Sequence, residues 1–393
     1  MNYSVPGFLA SGISAGIKKA SAKDLGLLTS EKPATAVGVF TTNQIKAAPV
    51  ILTQDKLHKG IAQALIVNSG NANACTGAAG MRDAQQVCQS VATELTLPEE
   101  LVLVSSTGII GVPLPIDTIT PHIPRLVATL SPEGLEDFAE AIMTTDTFPK
   151  LVMLKEVLDG KEVTLCGIAK GAGMIMPSMA TLLSFIITDA SIEGDLLRDL
   201  LTEAVETSYN RITIDGETST NDMVIIMANG CAGNHLLRKQ SPDLARFRKM
   251  LHTLLGDLSH LILKDAEGST KVILIRVENA RSPEEGKKIA YKVANSLLVK
   301  TAFFGEDANW GRILAAVGQA GAHIDPQRID IFFDDVMLVK NSTSTGATAR
   351  AQDILKQAAF RVTIDLHSGS AAAEVATTDI STEYVKINSA YPT

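Results

Sequence analysis

The spacing of apolar residues along the chain predicts helices that alternate with short buried strands. Ala84, Val87, Cys88, Val91 and Leu95 recur at intervals that place them on one face of a helix over residues 81–96, so we expect Cys88 in the core. The same periodicity predicts three more helices, which centre on 196–205, begin at Ser241-Pro242 and run over 283–295. Short apolar runs predict buried strands at 65–67, 101–104, 182–187, 223–227 and 272–275.

The first fifty residues follow a different pattern. Small and β-branched residues are broken by turn signals there, as in Gly7 to Ile17 and Ala34 to Thr42, and this predicts a β meander. Strands and helices together predict an α/β or α+β fold in which helices cover the sheets. The pattern does not determine the order of the strands, and it contains no clear internal repeat or long linker.

Composition and charge exclude several classes of protein. The 393 residues include 43 acidic and 35 basic side chains, which gives a net charge of −8, and 46% of the residues are hydrophobic. These values exclude a disordered chain, and they lack the basic character of a nucleic-acid binder. No apolar stretch reaches the ~18 residues that a membrane span needs. The N-terminus does not have the pattern of a secretory signal, so we expect a cytoplasmic protein.

The cysteines and histidines carry no metal or disulfide signature. Cys75, Cys88, Cys166 and Cys231 show no C-x-x-C spacing, and the seven histidines are isolated. Gly12 to Gly16 matches the G-x-S-x-G elbow of α/β-hydrolases, but it lies too near the N-terminus to follow the strands of that fold. Nucleotide-binding and zinc-hydrolase motifs do not occur, so neither function has support in the sequence.

One segment combines backbone freedom with a reactive side chain. Residues 170–180 contain two glycines and a proline and lead into an apolar run whose first residue is Thr181. The Thr181 hydroxyl can attack the carbonyl of Ala180, and hydrolysis of the resulting ester would free Thr181 as a new N-terminus. A freed α-amine, with a pKa of ~7.7–8.0, can serve as general base for the hydroxyl of the same residue. The alternative is an ordinary Gly-rich turn before a core strand, and spacing alone does not exclude it.

Several motifs, in order along the chain, resemble those of one enzyme family. The pattern K-G-x-G-M-I-x-P-x-M-A-T-L-L, which begins at Lys170, closely resembles the cleavage segment of the ornithine acetyltransferase family of arginine biosynthesis. Further blocks look like blocks of that family: Gly7 to Lys18, Gly38 to Asn43, Ala47 to Val50, Asn68 to Asn73, Glu217 to Asp222, Val299 to Arg312 and Tyr384 to Thr393. The resemblance therefore extends across the chain.

The resemblance implies roles for the residues that match these motifs. Thr181 matches the nucleophile that cleaves the chain after Ala180 and is then acetylated, and Thr107 and Gly108 match the pair that forms the oxyanion hole. Substrate-contacting positions are matched by Thr147, Lys170, Glu267, Asn388 and Thr393. A cation and a carboxylate suit an amino-acid substrate, because a charged group buried without a partner is costly. Without the resemblance, an ordinary turn at residues 107–108 and solvated loop charges would be the simpler interpretations. The sequence departs from the family at Ser178 and Pro392.

The family resemblance implies an acyltransferase that moves acetyl from N2-acetyl-L-ornithine to L-glutamate by a ping-pong mechanism through acetyl-Thr181. It implies an N-terminal-nucleophile-type architecture with fragments 1–180 and 181–393, two of each forming a heterotetramer. No metal or bound cofactor is needed, because the acetyl group arrives on ornithine; some family members also use acetyl-CoA, and no residue here decides that point. An N-terminal-nucleophile amidase or aminopeptidase, and a noncatalytic metabolite-binding protein, are the alternatives.

Overall fold

The computed structural model describes residues 3–18, 22–176 and 182–390 of the chain. The strands within these residues are β1 (Phe8–Ile13), β2 (Leu25–Phe40), β3 (Ile61–Asn71), β4 (Val102–Ile109), β5 (Lys150–Leu158), β6 (Lys161–Lys170), β7 (Leu183–Thr188), β8 (Met223–Ala228), β9 (Val272–Ala280), β10 (Asp330–Phe333), β11 (Val336–Lys340), β12 (Thr343–Ser344), β13 (Ala359–Asp365) and β14 (Ala371–Thr378). The α-helices are α1 (Ala48–Lys56), α2 (Gly77–Leu95), α3 (Ile116–Ile119), α4 (Ile123–Ala128), α5 (Leu135–Ala141), α6 (Gly194–Thr207), α7 (Leu244–Lys264), α8 (Pro283–Ala294), α9 (Leu297–Phe304), α10 (Trp310–Gly318), α11 (Thr348–Leu355) and α12 (Thr382–Ala390). Short 3-10 helices lie at Leu57–Lys59, Glu99–Leu101, Thr120–His122 and Tyr209–Arg211.

The larger of two sheets is organised around the long strand β2. Residues 25–30 of β2 pair with β1 on one side and, over 25–29, with β3 on the other, whereas residues 35–40 pair with β8. The register between β2 and β3 shifts between Thr29 and Ala34. The strand order is β4-β3-β2-β8-β7-β6-β5, and the β3–β4 and β7–β8 pairs are parallel. β2 therefore carries the sheet from one half into the other.

The two halves of this sheet share one apolar core. Leu65 and Val67 of β3 belong to the same buried cluster as Phe185 and Ile187 of β7. Helix α5 adds Phe138 to this cluster, and the rings of Phe138 and Phe185 meet edge to face with their centroids 5.8 Å apart. Such aromatic pairs stabilise the fold beyond the area that they bury. The sheet halves are therefore stacked, as the fold class predicted.

Helices cover the outer faces of the stacked halves. α6 and α7 pack on the half that contains β5 to β8, while α2 and α4 pack on the half that contains β3 and β4. Gly167 in β6 lets α7 come close, since a Cβ at this position would lie 2.7 Å from a methyl carbon of Leu258. β7 and β8 are buried along their whole length because apolar layers cover both of their faces. This double burial explains their continuous apolar runs.

The smaller sheet belongs to the C-terminal part of the chain. Its strand order is β12-β11-β10-β13-β9-β14, with β9 and β13 parallel. Helices α8 to α11 contribute to the core on one face, where Phe303, Phe333 and Phe360 form an aromatic cluster. On the other face, Arg276 pairs with Glu278 and Glu374 at 2.5 Å.

The elements predicted from periodicity are confirmed, with shifted ends. The helices expected over 81–96, around 196–205 and over 283–295 correspond to α2, α6 and α8, and Cys88 is fully buried as predicted. The helix expected to open at Ser241-Pro242 begins at Leu244. The five apolar runs lie within or adjoin β3, β4, β7, β8 and β9. The N-terminal meander is represented by the antiparallel pair β1 and β2. Within the described ranges, no helix is both long enough and apolar enough to span a bilayer.

Replacing Phe138 with Ala should destabilise the fold strongly. The substitution leaves a cavity where α5 meets Phe185 between the sheet halves, which typically costs ~3–5 kcal/mol of unfolding free energy. Phe304→Ala is a suitable control, because that ring is 37% exposed at the end of α9 and should cost about 1 kcal/mol or less. Denaturant unfolding of both variants measures the difference. Equal losses would contradict the stacked core.

Candidate active site

A cleft of about 230 Å³ opens where the two halves of the larger sheet meet the C-terminal helix α12. Its lining includes five of the six predicted site residues that the structure describes: Thr107, Gly108, Lys170, Glu267 and Asn388. Thr181, Ala180 and Thr393 lie outside the described residues, as do Ser178 and Pro392. Leu182, which follows Thr181 directly in the chain, also lines the cleft. Residues from four distant parts of the sequence thus converge at the start of β7.

Thr107 and Gly108 lie near the end of β4, where the ladder to β3 is irregular at Gly70 and Asn71. Gly108 has a φ of +134°, and a Cβ there would lie 2.3 Å from the backbone carbon of Gly70. Only glycine tolerates this combination of backbone angle and close approach. Thr107 is largely buried, and its Oγ1 accepts a hydrogen bond from Lys170 Nζ at 3.3 Å. A hydroxyl, an ammonium and a backbone turn therefore meet at this end of the cleft.

A buried network of charges fixes the segment after Lys170. Lys150 is completely buried, and its Nζ contacts Asp146 Oδ1 at 2.7 Å and Asp265 Oδ2 at 2.5 Å. Asp146 Oδ1 also accepts a hydrogen bond from the backbone N–H of Gly171 at 2.8 Å. Burial would raise the pKa of Asp146, but the positive charges of Lys170 and Lys150 outweigh it and lower this pKa to about 2. Asp146 is therefore an anion whose negative charge balances the positive charge of Lys170.

Thr147 is bonded to the same network and does not line the cleft. Its backbone N–H donates to Asp265 Oδ2 at 3.0 Å, and its hydroxyl donates to the other oxygen of that carboxylate. Thr147 is exposed on the side away from these bonds. The contact of Thr147 with substrate remains a prediction. In the structure, its two hydrogen bonds orient the carboxylate of Asp265.

Glu267 and Asn388 form a second contact in the lining of the cleft. Asn388 Nδ2 donates to Glu267 Oε2 at 2.7 Å, and the backbone N–H of Glu267 donates to the carbonyl of Ala172 at 2.9 Å. A Cβ at Gly173 would lie 2.4 Å from Glu267 Oε2, so a glycine is needed for the carboxylate to pack against this segment. The acidic group and the glycine-rich segment are therefore matched in shape.

Three cleft residues were not predicted as site residues: Asp215, Asp222 and Tyr384. Asp215 accepts hydrogen bonds from the backbone N–H groups of Met174 and Ile175 at 2.6 and 2.9 Å, and from Tyr384 Oη at 3.3 Å. Burial raises the pKa of Asp215, although these backbone hydrogen bonds oppose the rise. Asp222 and Tyr384 belong to motifs that support the family resemblance, which was the available signal.

Asp222 is a fully buried carboxyl whose pKa is raised by burial. Its Oδ2 is inaccessible and has no hydrogen-bond partner among the described residues. Burial raises the pKa of Asp222 well above its usual value, more than Ser219 and the charge of Lys170 lower it. Asp222 directly precedes β8, and the N–H of its neighbour Met223 donates to Leu182 O at 3.1 Å. A buried acid with a raised pKa thus lies beside the start of β7.

Comparison with known proteins assigns the chain to a family. The ArgJ family model matches residues 9–393. The arginine biosynthesis bifunctional protein ArgJ of Geobacter sulfurreducens is 50% identical over 99% of this chain and 100% of its own length. The protein of the same name from Syntrophotalea carbinolica is 49% identical over 99% of both chains. A crystal structure of the Bacillus halodurans ArgJ protein has 39% identity and a TM-score of 0.50, and it covers 53% of this chain and 98% of that chain.

Fold, cleft and relatives together define an enzyme of the acyltransferase class. The chain belongs to the ArgJ family. Family membership confirms the resemblance that the sequence motifs indicated, together with the expected class of stacked, helix-covered sheets.

Replacing Lys150 with Ala should destabilise the protein strongly. The substitution leaves Asp146 and Asp265 as buried carboxylates without their shared cation, which typically costs ~3–5 kcal/mol. Lys155→Ala provides a matched control on the same strand, because Lys155 forms an exposed pair with Glu162 and should cost about 1 kcal/mol or less. Denaturant unfolding compares the two. A Lys150 variant as stable as the Lys155 variant would show that the network does not hold the cleft.

Proposed function

We propose that the chain is a glutamate N-acetyltransferase that moves acetyl from N2-acetyl-L-ornithine to L-glutamate. The observation that carries the proposal is the convergence of Thr107, Gly108, Lys170, Glu267 and Asn388 on one cleft beside Leu182, the residue after Thr181. These are the groups that an acyl transfer to and from an amino acid requires: oxyanion donors, a cation and a carboxylate. The relatives carry the name arginine biosynthesis bifunctional protein, which agrees with such a reaction.

The proposed nucleophile is produced by cleavage of the chain. The Thr181 hydroxyl attacks the carbonyl carbon of Ala180, the peptide C–N bond breaks, and an ester forms with a free α-amine on Thr181. Water then hydrolyses the ester, which releases a carboxylate on Ala180 and restores the Thr181 hydroxyl. The products are fragments 1–180 and 181–393.

The length of a solved relative supports this cleavage. The fragment 181–393 would contain 213 of the 393 residues, about 54% of the chain. The Bacillus halodurans crystal chain aligns over 98% of its own length yet covers 53% of this chain. Burial of β7 on both faces favours continued association of the two fragments, and we expect a heterotetramer of two copies of each.

Acetyl transfer then proceeds in two half-reactions. Thr181 Oγ attacks the acetyl carbonyl of acetylornithine while the α-amine of Thr181 takes the hydroxyl proton. Thr107 and Gly108 stabilise the tetrahedral oxyanion, and ornithine leaves after its nitrogen receives the proton. The amine of glutamate attacks acetyl-Thr181 through the same steps and leaves as N-acetylglutamate.

The reaction needs no bound cofactor, because the acetyl group enters on the first substrate; acetyl-CoA as a second donor is testable in the same assay. We expect this chemistry in the cytoplasm.

Thr181→Ala should abolish both cleavage and transfer. The variant lacks the attacking hydroxyl, so intact mass should show one chain of 41.6 kDa and no labelled acetyl should pass from acetylornithine to glutamate. Thr202→Ala is the control, because Thr202 is exposed on α6 and its hydroxyl bonds only within that helix. Transfer that persists in Thr181→Ala would refute the mechanism. Acetate release by the wild type at the same rate with and without glutamate would favour the amidase alternative.

Thr107→Val should reduce kcat by ~100–1,000-fold while cleaved protein is still produced and folded. Valine keeps the size of the side chain and removes the hydroxyl that would donate to the oxyanion. Thr53→Val is the control: the Thr53 hydroxyl donates to Val104 O of the same strand at 2.6 Å, but it does not line the cleft. Steady-state kinetics of acetyl transfer compare the two variants. Equal losses of kcat would assign the Thr107 hydroxyl to strand stability instead.

A further inference from the structure

Under the proposed function, one cleft receives two amino acids whose side chains end in opposite charges. Ornithine ends in an ammonium and glutamate in a carboxylate. A charged group that enters a cleft without a partner of suitable polarity loses its hydration at a large cost. The side-chain end of the cleft must therefore offer acceptors to the first substrate and donors to the second.

The charges that line the cleft suit ornithine better than glutamate. Among the described lining residues, Asp215, Glu217 and Glu267 are acidic and Lys170 is the single cation, whereas Asp222 is an acid whose pKa is raised by burial. Lys170 contacts Thr107, at the end where the acetyl group would react. The side-chain carboxylate of glutamate therefore needs neutral donors, because the described lining contains no lysine or arginine besides Lys170.

Two neutral donors lie on one face of the C-terminal helix α12. Tyr384 and Asn388 are four residues apart, so they are neighbours on the helix surface. Tyr384 Oη donates to Asp215 Oδ2 at 3.3 Å, and Asn388 Nδ2 donates to Glu267 Oε2 at 2.7 Å. Each donor of the helix is thus paired with one carboxylate of the cleft.

We propose that Tyr384 is a specificity-determining residue whose hydroxyl leaves Asp215 to bind the side-chain carboxylate of glutamate. In the first half-reaction, the ornithine ammonium donates to Glu267 while the hydroxyl of Tyr384 remains on Asp215. In the second, the glutamate carboxylate accepts from Tyr384 Oη and Asn388 Nδ2. This inference rests on the proposed function and adds to it the means by which one subsite accepts both charges.

The hydrogen bond of Tyr384 is well suited to such an exchange. At 3.3 Å it is longer than the range of about 2.5–3.0 Å that is usual for a hydroxyl donor and an oxygen acceptor, so little is lost when it breaks. Asp215 keeps the backbone N–H groups of Met174, Ile175 and Glu217 as partners when the hydroxyl turns away. Burial, followed by the nearby charge of Asp215, raises the pKa of Tyr384, so the hydroxyl stays protonated and able to donate.

The test compares Tyr384→Phe with Glu267→Gln in cleaved enzyme. The value of kcat/KM for each substrate is measured separately, because in a ping-pong reaction it reports one half-reaction. Tyr384→Phe should lower kcat/KM for glutamate by ~10-fold or more and leave that for acetylornithine within about 2-fold. Glu267→Gln should do the reverse: ~10-fold or more lost for acetylornithine, with the value for glutamate unchanged or increased. Tyr291→Phe is the control, since the Tyr291 hydroxyl donates to the backbone of Asn210 outside the cleft.

Equal losses for both substrates in Tyr384→Phe would overturn the inference, because a structural role would affect both half-reactions. Thermal unfolding of each variant checks that the fold is intact, and Tyr384→His, which restores a donor, should recover part of the activity toward glutamate. If Tyr384→Phe behaves as wild type, the inference fails while the proposed transfer stands. A wild type that does not transfer acetyl between these substrates would remove the proposed function and this inference with it.

Discussion

The cleft depends on hydrogen bonds that acidic residues make to one short backbone segment. Residues 171–175 connect β6 to the region that contains Thr181, and they have no strand or helix of their own. Asp146 binds the N–H of Gly171, Asp215 binds those of Met174 and Ile175, and the carbonyl of Ala172 accepts from the backbone of Glu267. Polar backbone that is buried without such partners would be costly, so these side chains fix the path of the segment.

Burial and nearby positive charges shift the pKa values of the acids in and around the cleft. Asp146 must be ionised to hold Lys150 and to balance Lys170, and the two positive charges lower its pKa to about 2 despite burial. Burial raises the pKa of Asp222 more than Ser219 and the charge of Lys170 lower it. The pKa values of these two aspartates thus shift in opposite directions because their partners differ.

Sequence reasoning predicted the elements that have a local cause. Helices α2, α6 and α8 carry a complete apolar stripe, and β7 and β8 carry apolar runs because both faces are buried. The register shift in β2 and the order of the strands had no such signal in the sequence, because they arise from pairing between distant segments. Of the strands in the smaller sheet, only β9 was predicted from the sequence.

Site residues could be predicted where they belong to a recognisable motif. Contacts between residues that are distant in the sequence could not. Gly108 shows why a motif can be specific: its φ and its contact with Gly70 admit no other residue. Tyr384 and Asp215 are 169 residues apart, so no spacing in the sequence connects them. Thr147 illustrates the opposite case, in which a residue assigned by resemblance is bonded to Asp265 and does not line the cleft.

The most direct test of the account is to locate the acetyl group on the enzyme. Cleaved protein is incubated with acetylornithine alone, quenched in acid, digested and analysed by tandem mass spectrometry. The account predicts one acetyl ester on the hydroxyl of Thr181, in a peptide that begins with this residue, and its disappearance when glutamate is added before quenching. An enzyme that transfers acetyl at full rate while Thr181 stays internal or unacetylated would contradict it.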